Sequence, residues 1–151
     1  MNTPGASRID AEVLREVLPG RWRVLASSFP MWLSGRRLDP HFTYGLLPGS
    51  PLVLSDEVSY RTPAGATRRI AGVDRFDAAA GRFTWRGRGL LRPLSSSWRV
   101  THLSDDHELV VLTFDRSLVT PAGTDVIGRG TGPRPDARGR VPEDDTLHWL
   151  S

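Results

Sequence analysis

The 151-residue chain has no cysteine and no lysine, only two methionines and four histidines, and no long apolar run. Absence of cysteine agrees with a reducing compartment. With so few histidines and with its acids scattered, the chain offers no set for a preorganised metal centre, so no metal and no cofactor is expected. No stretch approaches the roughly 18 apolar residues that span a bilayer. Met1–Ser7 lacks the basic start and apolar stretch of a secretory signal. The expectation is therefore cytoplasmic residence and no membrane partner. There is no P-loop and no Gly-x-Ser-x-Gly elbow. With Met1 and Met31 as the only methionines, there is no plastic methionine-lined surface either.

Without lysine, all 20 cations are arginine, set against 17 acids for a net charge of +3. An all-arginine basic complement fits either phosphate recognition through the guanidinium fork or GC-rich codon usage, which the many Ala, Gly, Pro and Val residues also reflect. The arginines are interleaved with acids and form no basic stripe. That favours the codon reading and a chain that does not bind nucleic acid.

What is present is a globular composition: 38% hydrophobic residues, 25% charged, five Trp and five Phe. That aromatic area must be buried, and the length suits one domain with one core. Arg8–Leu18 reads as a short helix, with Ile9, Val13, Leu14 and Val17 on one side and Pro19-Gly20 as the stop. Turn signals then recur about every ten residues, among them Leu47-Pro48-Gly49-Ser50-Pro51, Thr62-Pro63-Ala64-Gly65 and Thr120-Pro121-Ala122-Gly123. Between them lie eight strand-like segments, at 20–29, 40–47, 52–61, 66–76, 82–91, 96–103, 108–117 and 123–130. Short links and no intervening helices predict an all-β, eight-stranded antiparallel up-and-down barrel. Such a barrel is just wide enough to hold one small ligand. The predicted organisation is a flexible segment at 1–8, a barrel domain at 9–130 and a Gly/Pro/Arg-rich tail at 131–151. The acids Glu143, Asp144 and Asp145 ahead of Leu147, Trp149 and Leu150 suit either a docked terminal helical turn or a disordered end.

Gly20-Arg21-Trp22, after a short helix and opening the first strand, resembles the Gly-x-Trp signature of lipocalins and their calycin relatives. In that superfamily the Trp closes the barrel floor and a late arginine packs over its indole. Arg129, at the end of Asp125-Val126-Ile127-Gly128-Arg129, stands where that arginine belongs. The resemblance spans roughly residues 9–130. A Thr-Asp-Tyr-like turn and a long helix after the last strand are missing. Heme-binding relatives, the nitrobindins, use a late histidine as iron ligand; this chain has none between His107 and His148. The stretch Phe29–Pro40 is similar to small bacterial lipocalin-like proteins of unassigned role.

Three groups of residues are candidates for chemistry. Asp56 falls on the apolar face of Leu52-Leu54-Asp56-Val58-Tyr60. A carboxylate aimed into an apolar interior costs several kcal/mol unless paired or neutral. It is a ligand-binding or acid/base group, or else it pairs with an arginine or is turned outward by a bulge. In Phe83–Gly89, Gly87 and Gly89 either bend the strand or clear room for a ligand beside Trp85. Arg86 is then an interior anion anchor or an outward residue. The linker from Met31 to Tyr44, with Trp32, Arg36, Asp39 and His41, lies where lipocalins carry a loop over the barrel mouth. Trp32 and Tyr44 are either a lid or rim packing. His102 and His107, five apart across a turn, read as surface residues.

The leading reading is a barrel that encloses a small, largely apolar molecule, as a monomer or homodimer. Trp85, Trp98 and Tyr60 supply contact area, and Asp56 with Arg86, Tyr44 or Trp32 orients the polar end. The alternative is a cofactor-free cyclase or isomerase working by positioning, with Asp56 and Tyr60 as acid/base groups. A weaker third reading is a protein-interaction barrel acting through its arginine-rich outside, which predicts salt-sensitive association.

Overall fold

The computed structural model of the protein describes residues 9–118 and 120–150. The segment expected to be flexible, 1–8, lies outside the described residues. Helix α1 (Ala11–Val17) begins where the Asp10 carboxylate accepts the Val13 N–H at 3.1 Å and ends before Pro19. Its Leu14 and Val17 are buried, as the one-sided apolar stripe requires.

Eight strands follow in chain order: β1 (Gly20–Ser27), β2 (Leu38–Leu47), β3 (Val53–Arg61), β4 (Thr67–Asp77), β5 (Arg82–Gly87), β6 (Ser95–Leu103), β7 (Leu109–Phe114) and β8 (Gly123–Arg129). Each pairs antiparallel with its sequence neighbours, and β8 pairs with β1 to close the barrel. A four-residue helix α2 (Pro30–Leu33) interrupts the long connection from β1 to β2. The predicted all-β up-and-down barrel with a short leading helix is the observed fold.

Most strand ends shift by one to three residues from expectation, and two departures are larger. Strand β5 stops at Gly87 rather than residue 91, because Gly89 adopts φ +60° and opens a 3-10 turn over Gly89–Leu91. The turn folds Leu91 back against Gly87, where any Cβ would collide with it. In place of a terminal helical turn, His148–Trp149 forms a short strand β9 on β1. The reason lies in β2. Pro40 carries no N–H. Asp39 sits at φ +52°, and the β1–β2 ladder ends at Arg23–His41. Trp149 pairs with Ala26 farther along the same edge, and the Leu150 N–H donates to Leu25 O at 2.8 Å.

One end of the barrel is closed by Trp22, which is fully buried and donates its indole N–H to Leu18 O at 2.8 Å. The Arg129 guanidinium lies 4.3 Å over that ring and donates to Val17 O and Pro19 O at the end of α1. Gly20 is required beside it, with φ +128° and a Cβ that would stand 3.0 Å from Arg129 Nη1. A bulge at Leu25 turns Leu25 and Ala26 outward, where Leu109, Val111 and Val126 join them. The tail covers this outer patch with Ala137 and Val141 and is pinned by ion pairs of Arg134 to Glu108 and Arg140 to Asp106.

Candidate functional site

Toward the other end the interior opens into a cavity of about 280 Å³. Ring stacking builds one side of it. Tyr44 of β2 stacks on Trp98 of β6 at 5.7 Å, and Trp98 stacks on Phe83 at 4.3 Å. Trp85 of β5 forms another wall by lying over Gly72 of β4, where a Cβ would collide with its indole. Trp32 of α2 and Leu91 and Leu94 of the β5–β6 connection complete the enclosure.

The buried charge-bearing groups in this apolar room are acidic. Asp56 of β3 lines the cavity and is buried, and Asp74 of β4 stands behind it, fully buried. Register places Asp56 opposite Gly72 and Asp74 opposite Leu54, so the two carboxyls meet diagonally across neighbouring strands. Two buried carboxyls so placed favour holding a proton between them over ionising together. Asp56 Oδ1 and Asp74 Oδ2 accept from no other group, and a shared proton satisfies both. The Trp98 indole N–H donates to Asp74 Oδ1 at 3.0 Å. Burial, followed by the neighbouring Asp56 carboxyl, pushes Asp74 well above the carboxylate range. Burial also raises Asp56, but the Asp74 hydrogen bond works against that rise. Burial beside one another thus favours a protonated pair over two carboxylates, most strongly at Asp74.

A second acidic pole is Asp125 of β8, also on the cavity wall. Burial pushes its carboxyl up to about 7, offset in part by the Ser27 hydroxyl and the Trp32 indole. The Trp32 N–H points toward it without reaching hydrogen-bond geometry. Tyr44 lies within the field of all three carboxyls, and burial together with those charges raises its phenol well above the ordinary value. Among the described residues the one cation on the lining is Arg37, with its guanidinium 4.9 Å over the Tyr60 ring.

Of the residues singled out from the sequence, Trp32, Tyr44, Asp56, Trp85 and Trp98 come together on this cavity. Tyr60 does not line it; its ring packs edge-on to Trp32 at 5.9 Å, outside the enclosure. Arg86 points outward and donates to Arg92 O at 3.3 Å. Asp56 neither pairs with an arginine nor is turned out by a bulge; its partner is another acid. Sequence reasoning passed over Asp74 and Asp125. The same alternation that singled out Asp56 holds in Ile70-Gly72-Asp74-Phe76 and in Asp125-Ile127-Arg129, and was the available signal. His41, on β2, is buried with Nδ1 2.9 Å from Asp39 O, away from the cavity.

No protein-family model and no curated protein sequence matches the chain. Solved structures do. Lobster apocrustacyanin A1 superposes with a TM-score of 0.63 at 9% identity, covering 91% of this chain and 79% of that one. The fold is lipocalin-like. The siderocalin Ex-FABP, described as having dual ligand specificities, matches this lipocalin-like barrel with a TM-score of 0.59 at 14% identity, covering 81% of this chain and 80% of its own. The amine-binding protein of Rhodnius prolixus, solved as a tryptamine complex, gives 0.59 at 11% identity over 88% of this chain and 73% of that one. At such identities the likeness is one of fold.

Proposed function

We propose that this lipocalin-like barrel binds a small, largely apolar molecule inside its cavity. The observation that carries the reading is the cavity itself. It measures about 280 Å³ and is walled by Tyr44, Trp85, Trp98 and Trp32. It carries only a few placed polar groups, the usual make-up of a ligand site. Barrels of the same fold hold small molecules, such as tryptamine in the amine-binding protein and cholesterol in Japanin. Titration with the apolar fluorophore N-phenyl-1-naphthylamine tests it. One saturable site is expected in the wild type, and loss of that site in Val58→Trp, which fills the cavity. Absence of saturable binding to the folded wild type overturns the reading.

The diagonal placement of two buried carboxyls, Asp56 and Asp74, favours a second reading, a cofactor-free cyclase or isomerase. Paired carboxyls with divided proton affinities are suited to acid/base work. Native mass spectrometry of protein purified from its own host identifies the retained molecule. Incubating that molecule with fresh protein returns it unchanged under the binding reading and converts it under the catalytic one.

A further inference from the structure

We infer that the ligand of this cavity is a compact amine, held as its ammonium by Asp56 while the rings of Tyr44, Trp85 and Trp98 cover its hydrocarbon body. The inference rests on the binding role proposed above and assigns the ligand's polar end.

Charge inside the cavity leads to it. Three carboxyls, Asp56, Asp74 and Asp125, converge on the space around Tyr44. Among the described residues none of them is ion-paired. Arg37, the one described cation on the lining, lies over the Tyr60 ring with Nη1 3.9 Å from Met31 Sδ. A buried carboxylate needs a countercharge or a proton, and no described cation forms an ion pair with these three. An anionic guest meets repulsion, whereas a cationic one supplies what is missing.

Asp56 is better suited to this role than Asp125. Asp125 is a single carboxyl on the wall by Trp32, whereas Asp56 has a second buried carboxyl, Asp74, diagonal to it on β4, so one cation there answers two acids. Asp74 Oδ1 accepts the Trp98 indole N–H at 3.0 Å, so that Trp98, Asp74 and Asp56 form a chain reaching the cavity wall. Its end is Asp56, which is buried, lines the cavity and, among the described residues, has an Oδ1 with no hydrogen-bond partner. An ammonium completes the chain as a charge-assisted hydrogen bond. The surrounding faces of Tyr44, Trp85 and Trp98 favour a cation as well as its apolar body. The room measures about 280 Å³. That falls just below the roughly 300 Å³ lower end of common ligand sites, which points to a ring-sized guest rather than a long chain.

Calorimetric titration of the full chain with three molecules of one shape separates the possibilities: tryptamine, the alcohol tryptophol and the anion indole-3-acetate. Tryptamine is expected to bind at least tenfold more tightly than tryptophol, with indole-3-acetate weakest. In Asp56→Asn that preference collapses toward one while tryptophol affinity holds; in Asp125→Asn it persists. Tryptophol or indole-3-acetate binding the wild type as tightly as tryptamine overturns the inference, whether or not the variants fold. Loss of the preference only in Asp125→Asn overturns the choice of Asp56. If N-phenyl-1-naphthylamine saturates the site but none of the three binds, the amine inference fails and the binding barrel stands. If none of the four binds, both fail.

Discussion

Replacing Asp125 with asparagine removes a titrating group without changing its shape, and the consequence for stability can be worked out. In the folded chain burial lifts the Asp125 carboxyl from 3.8 to about 7. Between those values the folded state holds a proton that the unfolded chain has lost, so stability falls as pH rises. The loss begins near 3.8 and levels off above about 7. Three pKa units at about 1.36 kcal/mol each make it about 4 kcal/mol in total. The amide of the variant carries no such dependence. Asp125→Asn should therefore differ little from the wild type at about pH 4 and gain on it progressively, by about 4 kcal/mol at about pH 8. Urea denaturation of both proteins across that range measures the difference, in which the contributions of Asp56, Asp74 and the surface groups cancel. A difference that stays flat with pH, or that favours the wild type increasingly as pH rises, would refute the placement of a buried, raised carboxyl on β8.

Other substitutions probe the parts separately. Arg129→Ala removes the cation over Trp22 and the donors to Val17 O and Pro19 O. It should cost about 2–4 kcal/mol in urea unfolding. Gly72→Val drives Trp85 off its seat while the far-ultraviolet spectrum stays that of a β-barrel. N-phenyl-1-naphthylamine affinity should then fall at least tenfold, about 1.4 kcal/mol. Ala137→Glu forces a charge against Leu25, Leu109 and Val126. It should destabilise the chain by about 2–3 kcal/mol and leave fluorophore affinity unchanged, because that patch lies outside the barrel.

The barrel was legible because its signals are local. Proline- and glycine-bearing turns divide the chain into segments of strand length, and Gly20, Trp22 and Arg129 mark the closed end. Asp56 was legible for the same reason, since a lone acid among Leu52, Leu54 and Val58 breaks an otherwise apolar face. Its partner was not, because Asp74 reaches it through the β3–β4 register, a property of the pairing rather than of either segment. Tyr60 shows the converse limit. Alternation put it on the same face as Asp56, but face does not set height along the barrel, and farther up the strand it packs against Trp32 outside the cavity. The tail's composition left a docked and a free end equally open. Its glycines and prolines suggest a free chain, yet Ala137 is fully buried and Trp149 fills the edge that Pro40 left open on β1.

The central claim, that a small apolar molecule enters the barrel, is tested most directly through the five indole N–H resonances. Trp32, Trp85 and Trp98 line the cavity, whereas Trp22 seals the far floor and Trp149, in the tail, packs on the outer patch. On titrating 15N-labelled protein with N-phenyl-1-naphthylamine, the first three signals should shift together with one saturating curve while those of Trp22 and Trp149 stay fixed. Saturation that moves Trp149 and leaves Trp32, Trp85 and Trp98 in place would put the ligand outside the barrel and contradict the account.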